Sequence, residues 1–188
     1  AEGQRKEAQP ARSKKKTILV VDDIPINIDV LSGTLSAEYR ILAATNGIKA
    51  LKLAKGDLAV DLILLDIMMP GMDGMEVCRR LKADPATADI PIIFLTAKTE
   101  VDDIAAALDA GGVDYVTKPF HPKVLKARVR THLSLKTARD DLREQMDTLV
   151  ENARLREDVE CMARHDLKSP VAAIINLSES LLEGILLD

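Results

Sequence analysis

From Thr17 onward the chain alternates short apolar runs with longer amphipathic stretches. The runs fall at residues 18–21, 40–44, 62–65, 92–95 and 113–116, each four or five residues long and most of them nearly all apolar. A strand sends successive side chains to opposite faces, so unbroken apolarity predicts strands covered on both faces. Between the runs lie stretches with helical spacing, such as Ile28, Leu31 and Leu35, or Val77 and Leu81. Strands alternating with helices predict right-handed crossovers and a parallel α/β sheet. Ligands of such sheets bind beyond the carboxyl ends of the strands.

The strands stop at His121. Pro122 suits a first helical turn, and after it there is no Pro until Pro170 and no Gly until Gly184. Leu135, Leu142 and Leu149 are spaced by seven, with Ala138, Met146 and Ala153 between them. That is a heptad stripe flanked by charge. Leu155, Val159 and Met162 continue it after a six-residue step from Leu149, a break in phase that can alter coiled-coil winding locally. One amphipathic helix packed on its own domain is the simpler reading. A helix of this length overruns the globular part, which favours a coiled-coil linker over residues 123–160 that makes the chain a homodimer.

The 188 residues allow one domain of about 150 residues plus an appendage. Hydrophobic residues at 47% and charged residues at 30% suit a buried core with a solvated surface. Aromatic residues are only 2%, with no Trp, which excludes an aromatic platform for stacking bases. The net charge of -4 argues against a phosphate-backbone binder, so no nucleic-acid partner is expected. That charge is unevenly placed. Residues 1–16 carry six Lys and Arg against two Glu and read as a disordered basic tail. Residues 17–120 carry sixteen Asp and Glu against nine Lys and Arg. Cys78 and Cys161 make neither a disulfide framework nor a zinc site, which fits a reduced, cytoplasmic location. No apolar run approaches the roughly 18 residues of a membrane helix, and the N-terminus has no signal-peptide core, so no membrane contact is expected within this stretch.

The acidity gathers where the sheet should bind. Asp22 and Asp23 end the first strand and Asp66 ends the third, so the fold brings three carboxylates to one edge. At about 4 Å and an effective dielectric near 20, a like-charge pair costs roughly 4 kcal/mol. Such a cluster takes up protons or a cation, and hard oxygen ligands with room for water suit Mg²⁺. Thr96 closes the fourth strand, and Lys118 closes the fifth just before Pro119. Carboxylates, a divalent cation, a hydroxyl and an ammonium around one point suggest phosphoryl chemistry. In that chemistry Asp66 is the nucleophile that forms an acyl phosphate, Lys118 stabilises the transferring charge and Thr96 donates a hydrogen bond.

Residues 17–122 resemble the receiver domain of two-component response regulators. The match comprises Asp22-Asp23, Asp66 followed by MMPGMDG, Thr96-Ala97, and Tyr115 ahead of Lys118-Pro119-Phe120. The resemblance implies a five-stranded flavodoxin-like fold of order 2-1-3-4-5. It implies that Asp66 takes its phosphoryl group from a phosphohistidine donor, either a histidine kinase or a phosphotransfer protein. It implies that Asp23 and Asp66 bind Mg²⁺ directly, Asp22 mostly through water, and Met68 through its backbone carbonyl. It also implies a frequently cis Lys118–Pro119 bond and a switch in which Thr96 moves toward the phosphoryl group and Tyr115 turns inward. A phosphatase of the haloacid dehalogenase type needs a second Asp two residues after the nucleophile, and Met68 stands there.

His165 lies in a second motif. Asp166 follows it and can orient the imidazole, and Pro170 should bend the helix nearby. His165-Asp166-Leu167-Lys168-Ser169-Pro170 resembles the H-box of sensor histidine kinases, whose His is autophosphorylated. The resemblance implies that residues 161–188 begin a truncated dimerisation and phosphoacceptor domain. The asparagine and glycine boxes of an ATP-binding domain are missing from this sequence, so only receiver phosphotransfer and autodephosphorylation are expected of it. The whole then reads as the N-terminal part of a hybrid histidine kinase. The alternative is a response regulator or adaptor whose coiled coil only dimerises the chain and whose His165 is never phosphorylated.

Overall fold

A computed structural model describes residues 15–97 and 101–185, with side chains at 15–97 and 104–159. Most of the tail at 1–16 and the side chains of Cys161 and His165 lie outside the described set. The elements run β1 (Thr17–Val21), α1 (Pro25–Leu35), β2 (Arg40–Ala44), α2 (Gly47–Ala54), β3 (Leu62–Asp66), α3 (Gly74–Ala83), β4 (Ile92–Thr96), α4 (Val101–Asp109), β5 (Asp114–Thr117) and α5 (Pro122–Ile185). The five strands form one parallel sheet in the order β2-β1-β3-β4-β5. This is the flavodoxin-like order 2-1-3-4-5 expected from the sequence.

Alternation within each strand builds two cores. Leu19, Val21, Ile63, Leu65, Ile92 and Phe94 face a layer with Ala50, Val77 and Leu81. Ile18, Val20, Leu62, Leu64, Ile93 and Leu95 face the other, with Ile28, Leu31 and Leu35 of α1 and Leu125, Val129 and Leu133 of α5. Every residue of β1, β3 and β4 is buried, as their unbroken apolar runs require. The two outer strands differ. Only Ala44 of β2 and only Val116 of β5 are buried, because an edge strand has a neighbour on one side and thinner helical cover. The fifth strand also begins one residue later than its apolar run, leaving Val113 42% exposed.

Local chemistry sets the helix starts. Pro25 opens α1, where its missing N–H costs nothing. Asn46 caps α2 by accepting from Lys49 N at 2.8 Å, and Asp73 caps α3 by accepting from Glu76 N at 2.7 Å. One compact unit ends at Thr137, and a second begins at Ala138. Helix α5 continues past Pro170 without a break. Along it Leu135, Leu142, Met146, Leu149, Leu155 and Val159 are each at least half exposed.

Two glycines of the Gly-Met-Asp-Gly stretch have separate reasons. Gly71 turns the chain with φ +81°. Gly74 opens α3 directly on the backbone of Asp66, donating its N–H to Ile67 O at 2.9 Å. A Cβ there would sit 2.1 Å from the Asp66 carbonyl oxygen. Gly74→Ala must therefore push α3 off the end of β3. We expect a loss of about 1–3 kcal/mol, the usual cost of overpacking, read as a lowered urea midpoint. A midpoint equal to wild type would contradict this packing.

Candidate functional site

The register of the sheet places the chemistry. Asp66, the last residue of β3, pairs with Leu95, and Thr96 pairs with Thr117. Lys118 N then donates to Thr96 O at 2.7 Å, so the ends of β3, β4 and β5 finish almost level. On the other side Asp22 N donates to Ala44 O at 3.2 Å as the chain leaves β1. The Lys118–Pro119 peptide is cis, as the resemblance implies.

One oxygen each from Asp22, Asp23 and Asp66 lies within 4.8 Å of the other two. The acids expected to meet do meet. Lys118 holds two of them: its Nζ donates to Asp22 Oδ2 and to Asp66 Oδ2, both at 2.7 Å. Asp22 is fully buried and Asp66 is 4% exposed, whereas Asp23 is only partly covered. Thr96, at the end of β4, is also buried. Tyr115 is half-buried and packs against the sheet's first core. Met68 stands two residues beyond Asp66, with its N–H 3.3 Å from Asp66 Oδ1 and its side chain in solvent. The side chain of His165 lies outside the described residues, so the structure gives no relation between it and this cluster.

Asn27 is a site residue that sequence reasoning missed. Its Nδ2 donates to both oxygens of Asp22, at 3.0 and 3.1 Å, and Ile24 N donates to Oδ1 at 2.9 Å. With Lys118 that makes four donor contacts on a fully buried carboxylate, which has about four lone-pair sites to offer. Burying an ion without such partners would cost several kcal/mol. The available cue was a polar residue in the first turn of α1, but nothing in one dimension shows it turning toward Asp22.

The donor set fits a magnesium ion. Three carboxylates and one ammonium leave two negative charges, the complement of a divalent cation. All the side-chain ligands are hard oxygens at an edge open to water. Asp22 already accepts from Lys118, Asn27 and Ile24 N, so Asp23 and Asp66 are the carboxylates with more capacity to bind an ion directly.

Two opposed influences act on Asp66. Burial pushes its pKa upward, the Lys118 ammonium pulls it back through a hydrogen bond and through charge, and the neighbouring Asp22 pushes it up again; the net shift is upward. Burial alone would depress Lys118, but its bonds to Asp22 and Asp66 outweigh that and leave it raised. Because folding raises the Asp66 pKa, its share of stability is present at acid pH and lost as pH climbs past the unfolded value toward the folded one. Asp66→Asn removes that cost. We expect this variant, in Mg²⁺-free buffer at pH 7, to melt a few degrees above wild type, the scale on which about 1 kcal/mol moves Tm in a domain of this size. The gap should close as pH falls through the raised pKa of Asp66, and on adding Mg²⁺. An Asp66→Asn protein that melts at or below wild type at pH 7 would show that the carboxylate is not held at a cost.

Comparison with known proteins agrees with this geometry. Residues 18–130 match the response regulator receiver domain family. The chain is 43% identical over 164 residues, 87% of its length, to a probable cyclic di-GMP phosphodiesterase of Vibrio cholerae, and covers 36% of that protein. It is 46% identical over 129 residues, 68% of its length, to the response regulator PleD of Caulobacter vibrioides, and covers 28% of it. The chain thus spans about a third of the length of these relatives. Among solved structures, a putative response regulator from Chloroflexus aurantiacus aligns with TM-score 0.61 at 35% identity, over 64% of this chain and 99% of its own. The receiver domain of a Pseudomonas aeruginosa sensor histidine kinase, solved with magnesium coordinated in its active-site cleft, aligns with TM-score 0.60 at 32% identity, again over 64% and 99%.

Proposed function

The chain belongs to the response regulator receiver family, and from that premise we propose that it is a phosphorylated switch whose acceptor is Asp66. The observation that carries this reading is Lys118 bridging Asp22 and Asp66 beside an open Asp23. A carboxylate oxygen of Asp66 attacks the phosphorus of a phosphohistidine. The new O–P bond forms as the P–N bond breaks, and the imidazole leaves with its electron pair and takes up a proton. Lys118 already touches Asp66 and stabilises charge on the transferred group, and Thr96 donates to it from the end of β4. Mg²⁺, when bound, supplies further charge neutralisation on the phosphoryl oxygens. Asp23 and Asp66 would hold it directly, the Met68 carbonyl would add a ligand, and Asp22 would act through water.

Switching needs more than one contact. Moving a conformer ratio from 1:99 to 99:1 takes about 5.5 kcal/mol, and one charge-assisted hydrogen bond supplies about 1.5–3. Thr96 therefore acts together with Lys118 and the metal, while Tyr115 turns inward to fill the space that Thr96 vacates. The state of the receiver passes to α5, whose first turns are packed on the sheet through Leu125, Val129 and Leu133.

For the whole protein we propose a hybrid histidine kinase, with the coiled-coil stem leading to His165 as phosphoacceptor. The H-box at residues 165–170 supports this. A second reading is favoured by the cyclic di-GMP relative, whose match extends over 164 residues and so beyond the receiver. On that reading the stem belongs to a response regulator or adaptor and only dimerises the chain. In both readings the phosphodonor is a histidine kinase or phosphotransfer protein, and the protein works in the cytoplasm. Among the described residues no helix is long and apolar enough to cross a membrane.

Incubation with Mg²⁺ and acetyl phosphate should add one acid-labile, hydroxylamine-sensitive phosphoryl group at Asp66. Asp66→Asn should take up none, and chelating the metal should abolish the uptake. Equal labelling of wild type and Asp66→Asn would overturn the assignment. Light scattering at high micromolar concentration should give twice the chain mass, and Leu142→Asp with Leu149→Asp should return it to a monomer. A monomeric wild type would refute the coiled coil and leave the chemistry of Asp66 standing.

A further inference from the structure

Asp114 begins β5 and shares a face with Val116, toward the layer that contains α5. Tyr115 between them points to the opposite layer, where it packs against the first core. Asp114 is nevertheless tied to three groups. Its Oδ1 accepts from Tyr115 N at 2.8 Å and from Arg128 Nη1, and its Oδ2 accepts from His132 Nε2 at 3.0 Å. The side chains of Asp114 and His132 are each only 15% exposed. Burial alone would raise the Asp114 carboxyl, but the bonds from Arg128, Tyr115 N and His132 outweigh it and hold it below the usual carboxylate range. An ionised Asp114 makes His132 Nε2 the donor in their contact.

Arg128 has a second partner. Its guanidinium lies over the Tyr115 ring, 5.8 Å from the centroid. Arg128 and His132 are four residues apart, one turn along α5, beside the buried stripe of Leu125, Val129 and Leu133. Because β5 is an edge strand, Arg128 can reach around it. The same side chain therefore touches the aromatic ring of one layer and the carboxylate of the other.

We propose that Arg128, anchored by Asp114 and backed by His132, is the transmission element that converts the position of Tyr115 into a change in α5. The inference rests on the phosphorylated-switch reading above and adds the residues that carry the output. With Tyr115 outward, its ring and Asp114 both hold Arg128. When Tyr115 turns inward the ring contact is lost, and Arg128 keeps only Asp114. A cation over an aromatic face at a partly exposed site biases an equilibrium roughly two- to five-fold. His132 prevents a complete release, because its bond to Asp114 is independent of Tyr115 and keeps β5 joined to α5 in both states. The outcome is a repositioning of the first turns of α5, not an undocking of the helix.

The test uses the full chain with Mg²⁺ and beryllium trifluoride, which stands in for the phosphoryl group. Amide hydrogen exchange is followed over residues 122–137, and acetyl phosphate labelling of Asp66 is measured separately. Wild type should change its exchange in this segment on adding the analogue. Arg128→Ala should lose that response while Asp66 is labelled at the wild-type rate, and Arg128→Lys, which keeps the cation, should restore part of it. Asp114→Asn, nearly isosteric and able to keep the Tyr115 N–H bond, provides a second variant with the anchor weakened, and its response should shrink. A wild-type response in Arg128→Ala, or a wild type that is labelled on Asp66 but unchanged in α5, would overturn the proposal. A wild type that takes up neither phosphoryl group nor analogue would instead remove the switch reading on which it rests.

Discussion

A single ammonium decides how the end of this sheet is arranged. Lys118 sits between Asp22 and Asp66, 2.7 Å from each, in a place where both acids have lost almost all their water. Two buried carboxylates this close repel strongly, and an isolated one would be costly to bury at all. The bridge lets them coexist and brings three separate chain segments to one point. Its balance is incomplete by design of the charges: Asp66 remains raised, and Asp23 remains open to solvent. A site that is held together but not neutralised is suited to receive a cation and then a phosphoryl group.

The same economy recurs one strand away. Asp114 is a second partly buried acid, but here Arg128, His132 and the Tyr115 N–H meet its needs within the chain, and its pKa falls. One acid keeps a raised pKa at the end of β3, beside two further carboxylates. The other is fully satisfied at the open edge of β5, where α5 must be held. Exposed pairs such as Glu76 with Arg79 and Arg80 serve neither purpose and are worth little.

Much of this could be read from one dimension. Four- and five-residue apolar runs predicted β1, β3 and β4, since a strand buried on both faces leaves no room for polar residues. Asp22, Asp23, Asp66, Thr96 and Lys118 were legible because each falls at or just beyond the end of an apolar run, and parallel strands align those ends. Gly74 was visible only as part of a motif, and its reason, contact with the Asp66 carbonyl, is tertiary. Asn27 was not legible. Neither were Arg128 and His132, which on the sequence alone are ordinary polar positions on an amphipathic helix. What distinguishes each is one partner on a different element.

The order of residues along the chain determined the period of burial, the parallel sheet it implies, and which side chains arrive at its carboxyl edge. Those follow from local geometry, because alternation and strand length repeat within a few residues. Folding alone decided the partial exposure of β2 and β5, the pairing of Lys118 with two acids, the hydrogen bonds from Asn27 to Asp22, and the reach of Arg128 across an edge strand. These depend on distances between residues as many as 96 positions apart, and only packing of the completed sheet and its helices sets such distances.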